Sequence, residues 1–394
     1  MPQPLRIGVL SILYGPFAVL GQDGLRGVEL AVDEFHGSVA GMPIELCSEA
    51  TIGSPDVAEE KARTLVERIR VDFIVGPLSG NEGLAVRNYA RAHQDRVFLN
   101  GSSGAQDLTF PQATPNFFNF SLNGVQVVAG LGKYAYETLG YRRVVTIGED
   151  YSYPYAQIGG FVLDFCKAGG EIAAKHWVPV GQSDYREIIS EIPDEADAVL
   201  VALGGTDAIN FLTQYYEMGK EKPLFGGAIT TDQSILSAGG MAEDLEGLVA
   251  GGPTADDYPN PEWDKFVTAY RKKFPDAFNY PSSFALQYYL NTKAGLLAVE
   301  SVNGDLFNGQ ARLKEALASL AFEGPCGPVR LDAYHGAIAN SFVTVVKKDE
   351  NGVLYRSMLD VAEEVSQTMG LSEEEYKAYG IFSRDNPQAV VPAR

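Results

Sequence analysis

The first half of the chain repeats one pattern: a short apolar run rich in β-branched residues, a loop of Gly, Ser and Pro, and an amphipathic helix. Residues 5–10 are typical of a buried strand, and Leu25, Val28, Val32 and Phe35 then share one face of a helix. Strands that alternate with helices at this spacing predict right-handed βαβ units and a parallel sheet covered on both faces. Further apolar runs continue the alternation at residues 43–47, 72–75 and 96–99.

A second series of the same kind begins after residue 119. A third part, from residue 263, contains helical faces without parallel strands of their own and ends in two strands. We therefore expect an α/β fold of two Rossmann-like lobes with parallel sheets, joined by a three-segment hinge. The strands predicted for the second series are residues 144–148, 171–178, 198–203, 223–228 and 245–251, and those of the third part are residues 329–331 and 341–347.

The expected lobes are discontinuous in sequence because the third part starts no complete series. A chain of 394 residues exceeds the usual size of a single core, which agrees with two lobes. We expect the chain to cross between them near residues 119–123, 251–254 and 323–327. Lobe one comprises residues 1–120 and 252–325, lobe two residues 121–251 and 326–354, and residues 355–394 form a C-terminal tail that packs on the lobes.

The charge of the chain narrows the classes of partner. A formal net charge of −20 disfavours nucleic acid and anionic lipid surfaces. It leaves room for a small anionic ligand, because a few N–H groups aimed at one point bind a carboxylate even within an acidic protein. No apolar run reaches the roughly 20 residues that span a bilayer. The N-terminus lacks a signal-peptide pattern, so we expect either a cytosolic protein or one whose signal peptide has been replaced by an engineered start.

The sequence contains no motif of a known catalytic or metal site. It has no G-x-S-x-G nucleophile elbow, no H-E-x-x-H zinc motif and no Walker A lysine. His36, His93, His176 and His335 lack metal-ligand spacing to one another or to cysteine. We therefore expect no enzyme, no cofactor and no bound metal. The three cysteines are expected to be buried free thiols: Cys47, Cys166 and Cys326.

The loops that follow the predicted strands carry a recurrent chemistry. Open parallel sheets bind ligands at the carboxyl ends of their strands. In lobe one these loops place small hydroxyl residues and Gly next to helix N-termini, which suits a carboxylate, and in lobe two they contain Tyr and an acid. Gly and Ser are also ordinary turn residues, but their recurrence at one predicted edge favours a binding site. The loops are residues 13–15, 78–81, 101–103, 150–153, 204–205 and 230–232.

Several short motifs occur in order along the chain. They begin with I-G-V-L at residues 7–10 and end with E-G-P-C-G at residues 323–327; between them lie residues 15–17, 21–24, 30–34, 75–79, 148–151, 202–205 and 281–285. As a set, these motifs resemble the type I periplasmic binding proteins that serve the branched-chain amino acid group of ABC transporters. The resemblance implies a two-lobed receptor that closes on a ligand between its lobes, does no chemistry on it, and is recognised by a membrane permease.

The family resemblance also assigns ligand-binding roles. In the family, the loops after the first, third and fourth strands hold the ligand carboxylate, and the matching residues in lobe one are Tyr14, Ser79, Gly80, Asn81, Ser102 and Ser103. In lobe two, an aromatic residue covers the ligand, here Tyr151, and an acid meets an ammonium group, here Asp232. The same predicted edge adds Gly205 and Thr231 as expected ligand contacts.

The match departs from the family in ways that bear on the ligand. The family usually carries Gly in place of Pro154, and leucine-type binders often have a lobe-one disulfide where this chain has Leu78 and no cysteine. Residues 159–184 are similar to members that capture aromatic carboxylates. An aromatic acid has no α-ammonium for Asp232 to meet. We expect an aromatic carboxylate ahead of a branched-chain or other apolar amino acid.

Two other functional classes stay open. One is a cytosolic ligand sensor on the same fold that regulates a partner protein, which the presence or absence of a native signal peptide would distinguish. The other is an enzyme working in the cleft, against which the lack of a paired acid and base or a nucleophile argues. The favoured expectation is a monomeric periplasmic receptor from which the signal peptide has been removed.

Overall fold

The computed structural model describes residues 3–239 and 242–386, which form two compact units. Unit one consists of the chain up to Leu122 together with Asn260–Pro275 and Phe284–Ala339. Unit two consists of Asn123–Pro259, Asp276–Ser283 and the chain from Asn340. Each unit is therefore discontinuous in sequence.

The unit boundaries share one position with the expected crossings and differ at the others. The boundary after Leu122 lies within residues 119–123, whereas the next falls after Pro259 and the last after Ala339. The last boundary is late because residues 321–331 form a hairpin that belongs to unit one, where Asn260 Nδ2 donates to Glu323 Oε1 at 3.1 Å. The short return of Asp276–Ser283 to unit two has no counterpart in the sequence pattern.

Unit one contains a six-stranded sheet in the order β2-β3-β1-β4-β5-β6. All neighbouring strands in it are parallel except for the β2–β3 pair. Apolar residues of its strands and helices, among them Leu10, Leu65 and Phe98, are buried together, as expected for a parallel sheet covered by helices. A π-helical turn at Thr64–Ile69 continues α2. The elements are β1 (Leu5–Ile12), α1 (Ala18–Glu34), β2 (Ser38–Val39), β3 (Met42–Thr51), α2 (Pro55–Arg63), β4 (Phe73–Val75), α3 (Gly80–Ala92), β5 (Val97–Leu99) and β6 (Phe117–Phe118).

Unit two has its own sheet, in which β8, β7, β9, β10 and β11 are successive parallel neighbours. A core that includes Ile147, Val201 and Phe211 fills the space between this sheet and its helices. After a 3₁₀ turn at Gln126–Val128, the elements are α4 (Leu131–Glu137), β7 (Arg143–Glu149), α5 (Ser152–Ala168), β8 (Glu171–Val178), α6 (Arg186–Ser190), β9 (Ala198–Ala202), α7 (Gly205–Glu217), β10 (Leu224–Gly226), α8 (Gln233–Leu236), α9 (Ala242–Leu245) and β11 (Val249–Gly252).

The third part of the chain completes both units. Helix α11 packs on the first sheet, where the Tyr288 hydroxyl donates to the Leu10 carbonyl at 2.7 Å. A 3₁₀ turn at Asn308–Gln310 precedes α12. The elements are α10 (Pro261–Lys273), α11 (Ser283–Ser301), α12 (Ala311–Ala318), β12 (Ala321–Gly324), β13 (Gly327–Leu331), β14 (Ala337–Lys348), β15 (Leu354–Val365) and α13 (Glu373–Ala378).

Strand β14 extends the sheet of unit two in the antiparallel direction, pairing Val345 with Val249. Strand β15 pairs with β14, so residues 355–365, which the sequence pattern places in a C-terminal tail, form a strand instead. The local pattern hides this strand because exposed acidic residues such as Glu363 interrupt its apolar positions, and its partner strand supplies the pairing.

Two α/β units, each with a parallel-rich sheet covered by helices, confirm the predicted fold class. Within the described residues, no helix is both long enough and apolar enough to cross a membrane.

Candidate functional site

In unit one, the predicted ligand loops meet at the carboxyl edge of strands β4 and β5. Ser79 caps helix α3: its hydroxyl accepts the Glu82 N–H at 3.5 Å, while the Glu82 carboxylate accepts the Ser79 N–H at 3.4 Å. This reciprocal arrangement fixes the start of the helix. The first-turn N–H groups, at Gly80 and Asn81, point out of a helix N-terminus and favour a negative charge there.

The hydroxyls of Ser102 and Ser103 tie the two loops together. Ser102 Oγ donates to the Leu78 carbonyl at 3.3 Å, and Ser103 Oγ donates to the Gly80 carbonyl at 3.4 Å. Both residues are buried. Each hydroxyl has a single hydrogen, which is used in this structure by a main-chain carbonyl. Their role as direct donors to a ligand therefore stays a prediction, and what the structure shows is that they hold the loop after β5 against the start of α3.

Tyr14 lies on the loop after β1 and is 66% exposed, in contrast to the buried serines. An exposed ring beside a strand end can cover an apolar ligand at little conformational cost, since its hydroxyl stays hydrated.

Three residues that support this edge were not singled out by the sequence pattern. The buried Asn100 amide donates to the Ser103 carbonyl at 2.8 Å and to Asn119 Oδ1 at 2.9 Å. The Tyr288 ring lies so close to Gly101 that a Cβ there would be 2.4 Å from it. Glu82 accepts the Gly53 N–H at 2.8 Å, and burial raises the pKa of its carboxyl group although these N–H donors act in the opposite direction. The S-x-x-E spacing of Ser79 and Glu82 is a capping signal that could have identified Glu82.

In unit two, Tyr151 and Gly205 begin the two helices that follow β7 and β9. Tyr151 is half-buried in extended backbone at the N-cap of α5. Gly205 is the first residue of α7 and has φ +54, a conformation that favours glycine. The preceding Gly204 donates its N–H to Glu149 Oε1 at 3.0 Å. The N–H of the α7 N-cap is thus bonded to a carboxyl oxygen of the protein itself.

Asp232 and Thr231 are buried in the loop before α8. Asp232 Oδ1 accepts the Ser234 N–H at 3.1 Å as the helix cap, and Oδ2 accepts both the N–H and the hydroxyl of Ser283 at 2.9 and 2.8 Å. The carboxylate therefore joins α8 to the segment Asp276–Ser283. These donors use three of the roughly four acceptor positions of the carboxylate, so little capacity remains for an ammonium partner.

Buried acids recur at this edge of unit two. Burial raises the pKa of Glu149 well above its ordinary value, and the nearby Asp207 adds to the shift, whereas the Gly204 N–H opposes it. Burial likewise raises the pKa of Asp207, whose Oδ2 accepts the Gly181 N–H at 2.6 Å. The Tyr153 hydroxyl also has a raised pKa, because it is desolvated and lies near Asp232 and Glu149. Burial therefore favours the neutral forms of Glu149, Asp207 and Tyr153 at this edge of unit two.

A buried ion pair that the sequence pattern did not predict lies next to the Asp232 loop. Arg356 donates from Nη2 to Asp256 Oδ1 at 2.7 Å and from Nε to Oδ2 at 3.1 Å, and the pair is almost fully buried. Gln233 Nε2 also donates to Asp256 Oδ2 at 2.8 Å. The two charged residues are 100 positions apart and belong to no local motif.

One further cavity is lined by other residues than those of the predicted site. A cavity of about 620 Å³ in unit one lies between α1, α10 and α11, where Lys273 is ion-paired with Asp33 at 2.7 Å. Among the described residues, no group of three or more His, Cys, Asp or Glu side chains could hold a metal ion. Cys166 and Cys326 are buried as predicted, whereas Cys47 is half-buried and does not fit that prediction.

Comparison with known proteins gives consistent results. The sequence pattern of the family described as "Periplasmic binding protein" matches residues 4–351. An ABC transporter substrate-binding protein from Sphaerobacter thermophilus is 33% identical with a TM-score of 0.83, over 92% of this chain and 98% of that one. A solute binding protein of an ABC transporter from R. palustris, in complex with benzoate, is 24% identical with a TM-score of 0.83, over 92% and 97% of the two chains.

A curated relative covers a similar share of the chain. The Leu/Ile/Val-binding protein homolog 6 of Brucella melitensis biotype 1 is 24% identical over 369 residues, which are 91% of this chain and 92% of the relative. The likeness therefore extends over both units and is not confined to one of them.

Proposed function

The chain belongs to the periplasmic binding protein family, and from that premise we propose that it is the extracytoplasmic receptor of an ABC importer. The family consists of substrate-binding receptors, so we propose further that the ligand is released unchanged to a membrane permease. The closing of two lobes on the ligand, the monomeric state and the removal of a signal peptide are parts of this proposal.

We propose an aromatic carboxylate as the ligand. The observation that carries this choice is the environment of Asp232, whose oxygens are taken up by Ser234 and Ser283. An amino acid would bring an ammonium group that needs an anionic partner when desolvated, and Asp232 is the residue assigned to that role. An aromatic acid needs no such partner. The benzoate in the R. palustris protein supports the same class.

The carboxylate end of the ligand is assigned to unit one. The N-terminus of α3 presents N–H groups, and the loop at Ser102 and Ser103 is held against it. Charge-assisted hydrogen bonds of this kind contribute about 1.5–3 kcal/mol each. Tyr14 and Tyr151 would supply apolar area to the ring.

A branched-chain amino acid is the second candidate ligand, favoured by the name of the Brucella relative. A cytosolic sensor on the same fold is the second candidate role. The native start of the gene product separates the two roles, because an importer receptor is exported with a signal peptide and a cytosolic sensor is not.

A thermal-shift screen tests the ligand class, since a ligand that binds the native state raises the unfolding temperature. Benzoate and hydroxylated benzoates are expected to stabilise the protein, and leucine, isoleucine and valine are expected to have no effect. Tyr151→Ala should reduce the shift with benzoate, while Tyr151→Phe, which keeps the ring, should preserve it. Stabilisation by leucine and not by benzoate would replace the aromatic ligand with an amino acid.

A further inference from the structure

The last described residues of the chain fold back on unit two as a closed turn. Asn386 Nδ2 donates to the Tyr379 carbonyl at 2.7 Å and to the Ile381 carbonyl at 2.9 Å, and the Ser383 N–H donates to the Asn386 carbonyl at 2.8 Å. We call residues 380–386 the C-terminal clasp. Its conformation is set by its own hydrogen bonds, so it can act as one piece.

The clasp is anchored by Phe382, which is only 3% exposed. Its ring packs on α5 at Gly159, where an added Cβ would lie 2.4 Å from the ring. Gly159 has ordinary helical backbone, so Ala would suit the helix better than Gly. The glycine at position 159 is therefore explained by the space that it leaves for the Phe382 ring.

From this anchor, the clasp reaches the loop that carries Tyr151. The Arg384 guanidinium is paired with Asp150, with Nε 3.3 Å from Oδ1. Asp150 also accepts a hydrogen bond from the Tyr155 hydroxyl. The Tyr155 ring meets Trp177 edge to face at 4.8 Å, and Trp177 Nε1 donates to the Arg384 carbonyl at 3.0 Å. The four residues form a closed circuit that begins and ends at Arg384.

The pKa of Asp150 is lowered by its contacts within this circuit. Burial alone would raise the pKa of Asp150, but hydrogen bonds from Arg384 and Tyr155 and the charge of Arg384 hold the pKa below its ordinary value. An exposed ion pair by itself contributes little to stability. Here the pair is combined with a buried aromatic anchor and an indole hydrogen bond, and the combination restricts the loop.

We propose that the C-terminal clasp positions the loop at Asp150 and Tyr151, and that Arg384 is a positioning residue for the Tyr151 half of the ligand site. The positioning follows from the contacts alone, whereas its effect on ligand affinity rests on the proposed function. Tyr151 adjoins Asp150 and is the N-cap of α5, and the same helix carries Tyr155 and Gly159. Loss of the contacts made by the C-terminal clasp would therefore release both the loop and the first turns of α5.

Two variants release the clasp from opposite ends. Arg384→Ala removes the side-chain contact to Asp150. Gly159→Ala fills the space that the Phe382 ring occupies and leaves the side chains of Asp150 and Arg384 unchanged. Arg186→Ala is the matched control, because Arg186 forms a comparable pair with Asp184, at 2.8 Å, on an exposed surface of the same unit. Arg384→Lys keeps the positive charge and is expected to restore most of the wild-type behaviour.

The readouts are the indole N–H resonance of Trp177, assigned through Trp177→Phe, and amide hydrogen exchange at Tyr151 and Tyr155. Both releasing variants are expected to shift the resonance and to speed exchange at these amides at least tenfold, with the unfolding temperature close to that of Arg186→Ala. Benzoate affinity should fall about tenfold in both. An unchanged resonance, or a shifted resonance with unchanged exchange, would overturn the proposal. Wild-type protein that binds no benzoate would overturn the proposed ligand class, and the exchange data would still decide the clasp.

Discussion

The carboxyl edges of the two units both contain a buried acid that accepts the N–H of a helix N-cap, but they differ in the groups around it. In unit one, Glu82 accepts the N–H groups of Gly53 and Ser79, the hydroxyl of Ser79 caps α3, and the side chains of Ser102 and Ser103 donate to main-chain carbonyls. In unit two, the carboxyl groups of three acids accept main-chain N–H groups: Glu149 from Gly204, Asp207 from Gly181, and Asp232 from Ser234 and Ser283.

The difference teaches where a negative ligand group can bind. Helix N-termini attract anions, but in unit two α7 and α8 have acids of the protein at that position. In unit one, Glu82 likewise accepts the N–H of the N-cap Ser79. The side chain that caps α3 is the neutral hydroxyl of Ser79, whereas α8 is capped by the acid Asp232. This difference in capping side chains supports the proposal that the carboxylate of the ligand binds to unit one and that the tyrosines contact its apolar ring.

The largest effect on stability is expected from the buried ion pair of Asp256 and Arg356 next to the Asp232 loop. Asp256→Ala would leave Arg356 buried without its carboxylate, so the free energy of unfolding should fall by about 3–5 kcal/mol. Urea denaturation measures this. The control, Asp184→Ala, breaks the exposed pair with Arg186 and should lower the free energy of unfolding far less. Equal effects of the two variants would mean that unit two does not depend on its buried charges.

Asp232→Asn separates stability from ligand binding. The amide loses one of the oxygens that accept from Ser234 and Ser283, so stability should fall by about 1–3 kcal/mol. Benzoate affinity, measured by calorimetry at a temperature where the variant is folded, should stay within about threefold of wild type because no ligand cation is involved. A loss of affinity by orders of magnitude, with leucine binding in wild type, would show that Asp232 meets an ammonium group.

The pH dependence of stability tests the acid at Glu149. Burial raises the pKa of Glu149 in the folded state, so the stability contributed by its protonated form is complete below the unfolded-state pKa of about 4.3 and is lost as the pH rises through the higher folded-state pKa. Glu149→Gln removes this loss and should be more stable than wild type at pH 8. The free energy of unfolding, measured by urea denaturation between pH 4 and pH 8.5, should show a difference between Glu149→Gln and wild type that grows as the pH rises.

Glu217→Gln is the control for that series, because Glu217 is an exposed residue at the end of α7. Its stability curve should run parallel to that of wild type. A parallel curve for Glu149→Gln as well would mean that Glu149 is ionised in both states.

The smallest effect is expected at the edge of unit one. Ser102→Ala and Ser103→Ala each remove a neutral hydrogen bond between loops, worth about 0.5–1.5 kcal/mol. The double variant should remain folded and bind benzoate about tenfold more weakly, because the loop is no longer held against α3. Calorimetry with the folded double variant checks this, and unchanged affinity would remove these serines from the site.

The fold could be predicted because its signals are local. The β-rich runs, their glycine-containing loops and the helical faces each lie within one segment, and parallel strands bring successive loops to one edge. Strand β15 escaped the prediction because its formation depends on pairing with β14 and not on an alternating pattern of its own.

The candidate site was predicted less completely, because several of its contacts join distant parts of the chain. Ser79 could be named from its position after β4, but the partners that define Asp232 include Ser283, 51 residues away. Asp256 and Arg356 carry no signal until the chain brings them together. Residue type identified an acid at position 232, whereas only the structure shows that its oxygens are already bonded.

The most direct test of the assignment to unit one compares benzoate with benzamide by isothermal titration calorimetry. The two molecules share the ring and differ in charge, so the comparison isolates the carboxylate. One charge-assisted hydrogen bond contributes about 1.5–3 kcal/mol, and benzoate should therefore bind at least about tenfold more tightly than benzamide. Equal affinities, or binding of leucine in place of benzoate, would contradict the account.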